Sequence, residues 1–594
     1  MNVIENDFPA KFVDNKIIIR IRDRVCGSND ELLSSPLFSE VLKRFVQDLI
    51  RLDSPVLVMF AKQPDLIGES DLFSLNLTIR LLARMKSDWV AKLVDDLRFI
   101  QQPLALYEFV EGLYDFWRKF ERFLVCDSDG DVFDQRPYRT FNSTVETLMN
   151  LVRGAYRDVQ ENLSGRHPRI YRQVSAGAEV AAIALPKIMP GLGKYSLQLD
   201  AVPVIRQVCL YPPMLINPPM NKRTGSFERV KVNPIDIVDV NPNEWLCYPA
   251  RVGKLLVLVY FHEKFFELGF AMSNLFELAD EASLLKKPDA IFLYGTPEHA
   301  LDQLASLPTV FFDDNDVLVG AIPRRDEFGY FGYLKKMVLT LHNIKIMQQG
   351  NLPYHGAMIQ LELKGGRGVN ILIFGDTGTG KSETIEAFRD LAGQQIRKLT
   401  IIADDMGSLE FAPDGSILGF GTEIGAFVRL DDLKPGYAFS QLDRSIIMNP
   451  NQANARVVLP VTTLEDVVTG IPVDIVLYAN NYEAIEENHP VIDPFFNSES
   501  ALDVFRTGTA MSKGTTTSSG LVHTYFVNVF GPHQYPELHD RIAQRFFTAF
   551  FEKGIMVAQL RTQLGVMGLE RSGPYWAAQA LLNLLENRSE TSSP

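Results

Sequence analysis

The chain has 594 residues, 46% hydrophobic and 22% charged, a balance that excludes disorder as its main state. At about 150 residues per domain, this length allows about four domain-equivalents, or two or three larger ones. With 59 basic against 73 acidic residues the formal net charge is −14, which excludes general nucleic-acid binding but leaves room for a local basic pocket.

Four cysteines (Cys26, Cys126, Cys209 and Cys247) lie far apart with no CxxC pair. Neither a zinc ribbon nor a disulfide scaffold is expected, and a reducing compartment suits the chain. The first residues, Met-Asn-Val-Ile-Glu-Asn-Asp, are acidic where a secretory signal would be basic and then apolar. The longest strongly apolar run, Leu255 to Phe261, is far short of the roughly 20 residues that span a bilayer, and reads as a buried strand. The expected location is the cytoplasm, with no membrane partner. The polar tail from Asn587 to Pro594 is expected to fray.

Residues from about 32 to 160 read as mainly helical. Leu42, Phe45, Val46, Leu49 and Ile50 recur at helical spacing, as do Tyr107, Phe109, Leu113, Phe116 and Phe120. Such stripes are ordinarily packing faces. From about 165 the texture turns to short β-like runs broken by Pro212-Pro213 and Pro218-Pro219. Ala290 to Tyr294 and Thr309 to Phe312 predict buried strands. From about 355 strands and helices mix, which predicts an α/β or mixed α+β nucleotide-type domain. No internal repeat is visible, and Thr515 to Ser519 reads as a flexible loop.

Gly375-Asp376-Thr377-Gly378-Thr379-Gly380-Lys381-Ser382 fits G-x-x-x-x-G-K-[ST] in full. The β-rich run Val369 to Phe374 precedes it, and Ile385, Phe388 and Leu391 place one apolar helical face after it. Strand, glycine loop and helix are what phosphate binding needs. The glycines let backbone N–H groups approach the phosphates, and the helix N-terminus adds positive potential. Lys381 is expected to neutralise the outer phosphates and Ser382 to offer its hydroxyl to Mg²⁺. Next, Leu399 to Asp405 is an apolar strand ending in Asp404 and Asp405. Alternation sends these two carboxylates to different sides, so one can bind a metal while the other orients water or a loop.

His355-Gly-Ala-Met, the Gly365-Gly366 hairpin, the glycine loop and the Ala403-Asp404-Asp405 segment together resemble the core shared by HPr kinase/phosphorylase and phosphoenolpyruvate carboxykinase. The wording Gly-Lys-Ser-Glu-Thr and Ala-Asp-Asp is closest to the kinase. Upstream, Tyr330-Phe-Gly-Tyr-Leu-Lys335-Lys336 resembles the carboxykinase's Y-x-G-x-x-K-K, and Lys336 precedes His355 by 19 positions as in the ATP-type family. Asn454-Ala-Arg456 to Pro460 is similar to the stretch carrying a substrate-binding arginine. Phe505 to Thr515 resembles F-x-x-G-x-T-A-x-x-x-G-T, one residue shorter. Gly568-Leu-Glu-Arg571 matches the late nucleotide segment. The resemblance covers roughly residues 285 to 585.

It implies a two-lobed carboxykinase-like α/β (mixed α+β) fold, with a substrate domain at 161–345 and a P-loop domain at 346–594; the helical N-terminal region at 1–160 is extra and has no clear counterpart in the family. It also implies ATP with Mg²⁺ and Mn²⁺, and Lys336, His355 and Asp405 as ligands of the catalytic metal. The chain departs from the family in three places. Met406-Gly-Ser follows the Asp pair, where the family continues with an acidic residue and His. Ser382 stands where the carboxykinase usually has Thr. The only short match to the oxaloacetate-binding segment is Gly165-Arg166-His-Pro168-Arg169.

Decarboxylating oxaloacetate leaves an enolate, and phosphorylating its oxygen gives phosphoenolpyruvate. A cation at that oxygen lowers the barrier. Lys336 must be neutral to coordinate. Lys335 is expected to stay cationic and face the phosphoryl group, Arg456 to neutralise phosphoryl or carboxylate charge, and Tyr330 to hydrogen-bond a carboxylate. Alone, a Lys-Lys pair is ordinarily a solvated face, and a lone His or Arg is ordinarily structural. Their ordered spacing with the glycine loop points to function instead. Two other readings follow from the same residues. One is an HPr-kinase-like kinase with Asp404 or Asp405 as base. The other is a nucleotide-binding regulator without turnover, whose helical N-terminal region contacts a protein partner.

Asp127-Ser-Asp129-Gly-Asp131 is no calcium loop, because position twelve is Tyr138. His262-Glu263 lacks the second His of a zinc-protease motif. Asn162-Leu-Ser164 is a glycosylation sequon in pattern only.

Overall fold

The computed structural model describes residues 10–21, 25–127, 137–167, 174–185, 190–223, 226–364, 368–391, 395–433, 437–512 and 520–590. The Gly365-Gly366 hairpin, Pro168, Arg169, Asp129, Asp131 and the Thr515 to Ser519 patch lie outside them. The chain divides into two compact units. One comprises Met1–Pro186 with Pro203–Tyr211, and the other Lys187–Val202 with Pro212–Pro594. The first boundary therefore lies beyond 160, and the stretches read as separate substrate and P-loop domains share one unit.

In the first unit, Ala10–Val13 and Lys16–Ile21 form a hairpin. Lys16–Ile21 runs parallel to Glu121–Cys126, which runs parallel to Val180–Leu185, and Val204–Leu210 pairs antiparallel with Val180–Leu185. The β-branched run Ile17 to Ile19 explains a strand that helical periodicity does not reveal. Helices Pro36–Arg51, Glu69–Leu82, Pro103–Lys119 and Pro137–Ser164 supply the rest of the core. Ser35 starts the first of these by accepting the Phe38 N–H, with Pro36 at the first helical position. Its predicted stripe of Leu42, Phe45, Val46 and Leu49 is buried.

The second unit is a mixed α/β body. Trp245–Val252 and Leu255–His262 form an antiparallel hairpin, and Ala290–Thr296 and Leu318–Pro323 continue parallel beside it. A second sheet is built on the long strand Leu352–Leu363. That strand pairs antiparallel with Gly368–Phe374, Ile396–Ala403 and Met406–Phe411. Beyond Gly368–Phe374, Ile475–Asn480 and Met556–Arg561 run parallel to it, the pattern expected when helices cover the faces. Ile371, Ile373, Ile385, Phe388, Leu477 and Leu581 pack into one core beneath the glycine loop.

The helix Phe331–Gln348 is buried on nearly every turn. A helix buried on most sides belongs inside a body rather than on its surface, so Lys335 is held in the interior, while Lys336 and Lys345 are half-buried.

Phe388 anchors the helix Lys381–Leu391 to this core and is inaccessible to solvent. Phe388→Ala is expected to lower unfolding stability by about 3–5 kcal/mol, measured by urea denaturation.

Candidate functional site

The strand Leu352–Leu363 ties three motifs together by register. His355 pairs with Met406, Gly356 with Phe374 and Met358 with Ala403. The Gly356 N–H donates to the Asp405 carbonyl at 2.9 Å, and the Gly375 N–H donates to the His355 carbonyl at 3.1 Å. The histidine, the start of the glycine loop and the Asp pair therefore meet at one point, although they are up to 50 residues apart.

Gly375 to Gly380 connect the strand Gly368–Phe374 to the helix Lys381–Leu391, as the motif predicts. Lys381 folds over the loop and donates to the carbonyls of Gly375 at 2.6 Å and Asp376 at 3.1 Å. The Thr379 hydroxyl donates to the Asp376 carbonyl, and the Thr377 N–H donates to Asp376 Oδ1. Ser382 lies half-buried in the first helical turn. Neighbouring strand ends brace the loop. Thr562 Oγ1 donates to the Thr379 carbonyl at 2.7 Å, and Asn481 Nδ2 to the Gly378 carbonyl at 3.0 Å. Gly380 has φ +93°, and a Cβ there would sit 2.7 Å from Thr562. Only glycine meets both demands.

Beside the loop lies a buried charge cluster. Lys335 Nζ is 2.7 Å from Asp405 Oδ2 and 2.9 Å from Glu423 Oε1. Burial opposes the Lys335 charge, but the two carboxylates prevail and hold its pKa above the usual lysine range. Asp405 is held well below the usual carboxylate range: burial opposes this, and Lys335 and His355 outweigh it. Glu423 goes the other way, its pKa pushed up by burial to about 7 despite Lys335. Asp404 and Asp405 lie in a bend between the strands Ile396–Ala403 and Met406–Phe411, so strand alternation does not fix their sides; Asp404 is buried, and its charge adds to the upward push on Glu423.

Lys336 is turned away from its neighbour, because successive helical residues do not share a face. Its Nζ lies 4.6 Å from the centroid of the Phe530 ring. Burial and then the Arg223 charge pull its pKa down to about 7, against the fields of Asp376 and Asp405. It is Lys335, rather than Lys336, that bonds directly to Asp405. Tyr330 caps the same helix. Burial pushes its phenol up, while Arg456, Lys335 and Arg223 pull the other way. Arg456 lies over the Phe427 ring, and its Nε is buried without a hydrogen-bond partner among the described residues. Tyr330 thus feels the charges of Arg456, Lys335 and Arg223, and Lys336 feels those of Arg223 and Lys335.

His355 Nδ1 lies 2.6 Å from the Val527 carbonyl, and Nε2 lies 3.0 Å from Asp405 Oδ1. Since a carbonyl only accepts, Nδ1 carries the proton. Nε2 and the carboxylate then face one another and need a cation or a second proton between them. That is how a metal-binding histidine is oriented, its other nitrogen fixed by an outer hydrogen bond. With a depressed lysine nearby, the donor set of two nitrogens and a carboxylate suits Mn²⁺, and Ser382 and the glycine loop suit Mg²⁺ on a nucleotide. Among the described residues no three His, Cys, Asp or Glu side chains gather as a metal cluster, so the fit depends on Lys336 as the third donor.

Val527 belongs to an unusual turn: Phe526, Val527 and Asn528 have φ of 45°, 51° and 65°. Left-handed backbone is costly for non-glycine residues, most of all for a β-branched one. Gly508 makes room for the turn. It ends the helix Ser498–Thr507 at φ +57°, and a Cβ there would lie 1.8 Å from the Thr524 carbonyl.

Arg571 is exposed in the turn before the helix Ser572–Glu590. Gly573 packs on Thr562, which braces the glycine loop. Arg223, whose charge acts on both Lys336 and Tyr330, is a basic residue that the sequence reading passed over. Glu423, Thr562 and Asn481 were also missed. Asn481 alone had a visible signal, a polar residue ending an apolar strand. No protein-family model and no curated protein matches the chain.

A lysine with a depressed pKa is neutral in the folded state while the unfolded chain still binds its proton. Stability should therefore rise with pH from about 7 toward the ordinary lysine value of 10.5, by up to about 1.4 kcal/mol per pH unit for one proton. Chemical denaturation across this range should show the rise, and Lys336→Met should flatten it. Gly508→Ala should displace the Val527 carbonyl and weaken Mn²⁺ binding by about 10- to 100-fold, read by electron paramagnetic resonance titration.

Proposed function

We propose that the chain carries out nucleotide-dependent decarboxylation and phosphorylation of oxaloacetate to phosphoenolpyruvate, in the manner of a phosphoenolpyruvate carboxykinase. The observation that carries this reading is the meeting of the Lys335-Lys336 helix, His355 and Asp405 beside the glycine loop, with the charges of Arg456 and Arg223 acting on Tyr330 and that of Arg223 on Lys336. A phosphate loop alone serves many reactions. This pairing of a cationic lysine with a neutralised one has a use when a carboxylate substrate becomes an enolate.

In this reading Arg456, Arg223 and Tyr330 bind the carboxylates of oxaloacetate. Loss of CO₂ leaves the electron pair on the enolate. The enolate oxygen attacks the terminal phosphorus in line, and the nucleoside diphosphate leaves. Lys335, fixed as an ammonium, stabilises negative charge on the transferring group. Lys381 leaves the loop carbonyls to follow the outer phosphates. Lys336, His355 and Asp405 would hold a divalent cation that supplies Lewis-acid stabilisation of the enolate. Burial of the cluster keeps water, and so proton quenching of the enolate, away.

A second reading has a specific support. A kinase acting on a hydroxyl needs a base, and Asp405 is too acidic while ion-paired to Lys335. Glu423, with its pKa near 7, is matched to that task.

The purified chain, given oxaloacetate with ATP, GTP or pyrophosphate and both Mg²⁺ and Mn²⁺, should form phosphoenolpyruvate and CO₂ in equal amounts by ³¹P NMR and CO₂ trapping. Lys381→Ala and Arg456→Met should each cut the rate by about 10²-fold or more. Absence of phosphoenolpyruvate with every donor overturns the lyase reading. Transfer of labelled phosphate to a lysate protein, lost in Glu423→Gln, would select the kinase. Nucleotide binding without any product would leave the regulator.

A further inference from the structure

The helical layer of the first unit leaves a gap in its packing. Between Pro36–Arg51, Pro103–Lys119 and Pro137–Ser164 lies a cavity of about 100 Å³, walled by Leu33, Val41, Leu113, Trp117 and Val159 among others. Native cores seldom hold voids much larger than a water molecule. Water does not suit this one, since a buried water takes two to four polar partners.

Three of the polar side chains on its walls, Ser35, Trp117 and Tyr156, are already engaged. Ser35 Oγ donates to the Leu32 carbonyl at 2.7 Å and accepts the Phe38 N–H at 3.1 Å. Trp117 Nε1 donates to the Ala176 carbonyl at 2.6 Å, and the Tyr156 hydroxyl donates to Glu111 at 2.7 Å. The walls pass from fully buried Leu33 to half-buried Phe38, Tyr114, Val152 and Tyr156, so one side reaches solvent. There Tyr114 and Tyr156 stack with centroids 4.1 Å apart and planes within 7°.

We propose that this pocket is a binding site for a small uncharged hydrocarbon-like molecule, about the size of benzene or toluene. Apolar cavities of this order stay dry and admit such ligands. A charge carried in between the apolar walls would be stripped of water without a partner, since Arg118 stands at the half-exposed side, 5.6 Å from the Tyr114 ring centroid. The site lies wholly within the first unit and is independent of the phosphoryl-transfer reading.

The test is calorimetric titration of the intact chain with toluene at two temperatures, with benzoate as the charged comparison. A single saturable site with a negative heat-capacity change is expected, with benzoate at least tenfold weaker. Ala155→Leu fills the pocket from its wall, and Val152→Phe obstructs it from its half-exposed side. Each should abolish toluene binding while thermal unfolding stays cooperative. If Ala155→Leu does not fold, Val152→Phe alone decides. No saturable toluene binding by the folded wild-type chain, equal binding of benzoate, or undiminished binding in the folded variants overturns the proposal.

Discussion

Lys335 sits between Asp405 and Glu423 with its side chain 5% exposed, and the rest of the site is arranged around that ammonium. It neutralises an acid pair that burial would otherwise make untenable, and leaves Asp405 ionised toward His355. Removing one partner of such a pair strands a charge in the interior, at a cost of about 3–5 kcal/mol. The helix Phe331–Gln348 is buried on nearly every turn, so it carries that charge through a core rather than along a surface. Lys336, one step further round the same helix, has no comparable acid contact and so gives up its proton readily. Two adjacent lysines are thereby given opposite electrostatic characters by their positions alone.

The backbone supplies the alignment of these groups. One strand, Leu352–Leu363, hydrogen-bonds to the strand that launches the glycine loop and to both strands flanking the Asp pair. Its carbonyl at His355 anchors Gly375, and its N–H at Gly356 holds the Asp405 carbonyl. The relative placement of imidazole, carboxylate and phosphate loop is therefore set by sheet register, which slips only in whole residues and reverses every side chain when it does. Placement of this kind suits a site that must hold its groups in position before substrate arrives.

Much of this centre was legible in the sequence, for reasons that differ by motif. The glycine loop is local: its spacing, its preceding strand and its following helix all lie within about twenty residues of chain. The Asp pair is legible because it directly follows the apolar strand Ile396–Ala403. The phase of the Lys-Lys helix is not legible, since nothing local determines how a helix is rotated against a strand some seventy residues later. The pairing of Lys335 with Asp405 emerges only when both are folded. Arg223 and Glu423 were invisible for the same reason. Each is an isolated charge among neighbours that resemble a loop or a strand, and only long-range packing brings it to the cluster. In the first unit, Lys16–Ile21 escaped notice because a short β-branched run carries no helical period and sits ahead of the segment that does.

The left-handed run from Phe526 to Asn528 has a consequence for energetics beyond its geometry. Three side-chain-bearing residues held in that region make the turn a loaded backbone segment, kept in place in part by the grip of an imidazole N–H on the Val527 carbonyl. Loosening of that histidine would let the peptide relax toward ordinary dihedrals. Whatever cation or proton settles at the far nitrogen of the ring therefore also biases the conformation of a turn on the other side of it. The imidazole acts as a lever with a charge at one end and a folded-back main chain at the other, so occupancy and backbone order are thermodynamically linked.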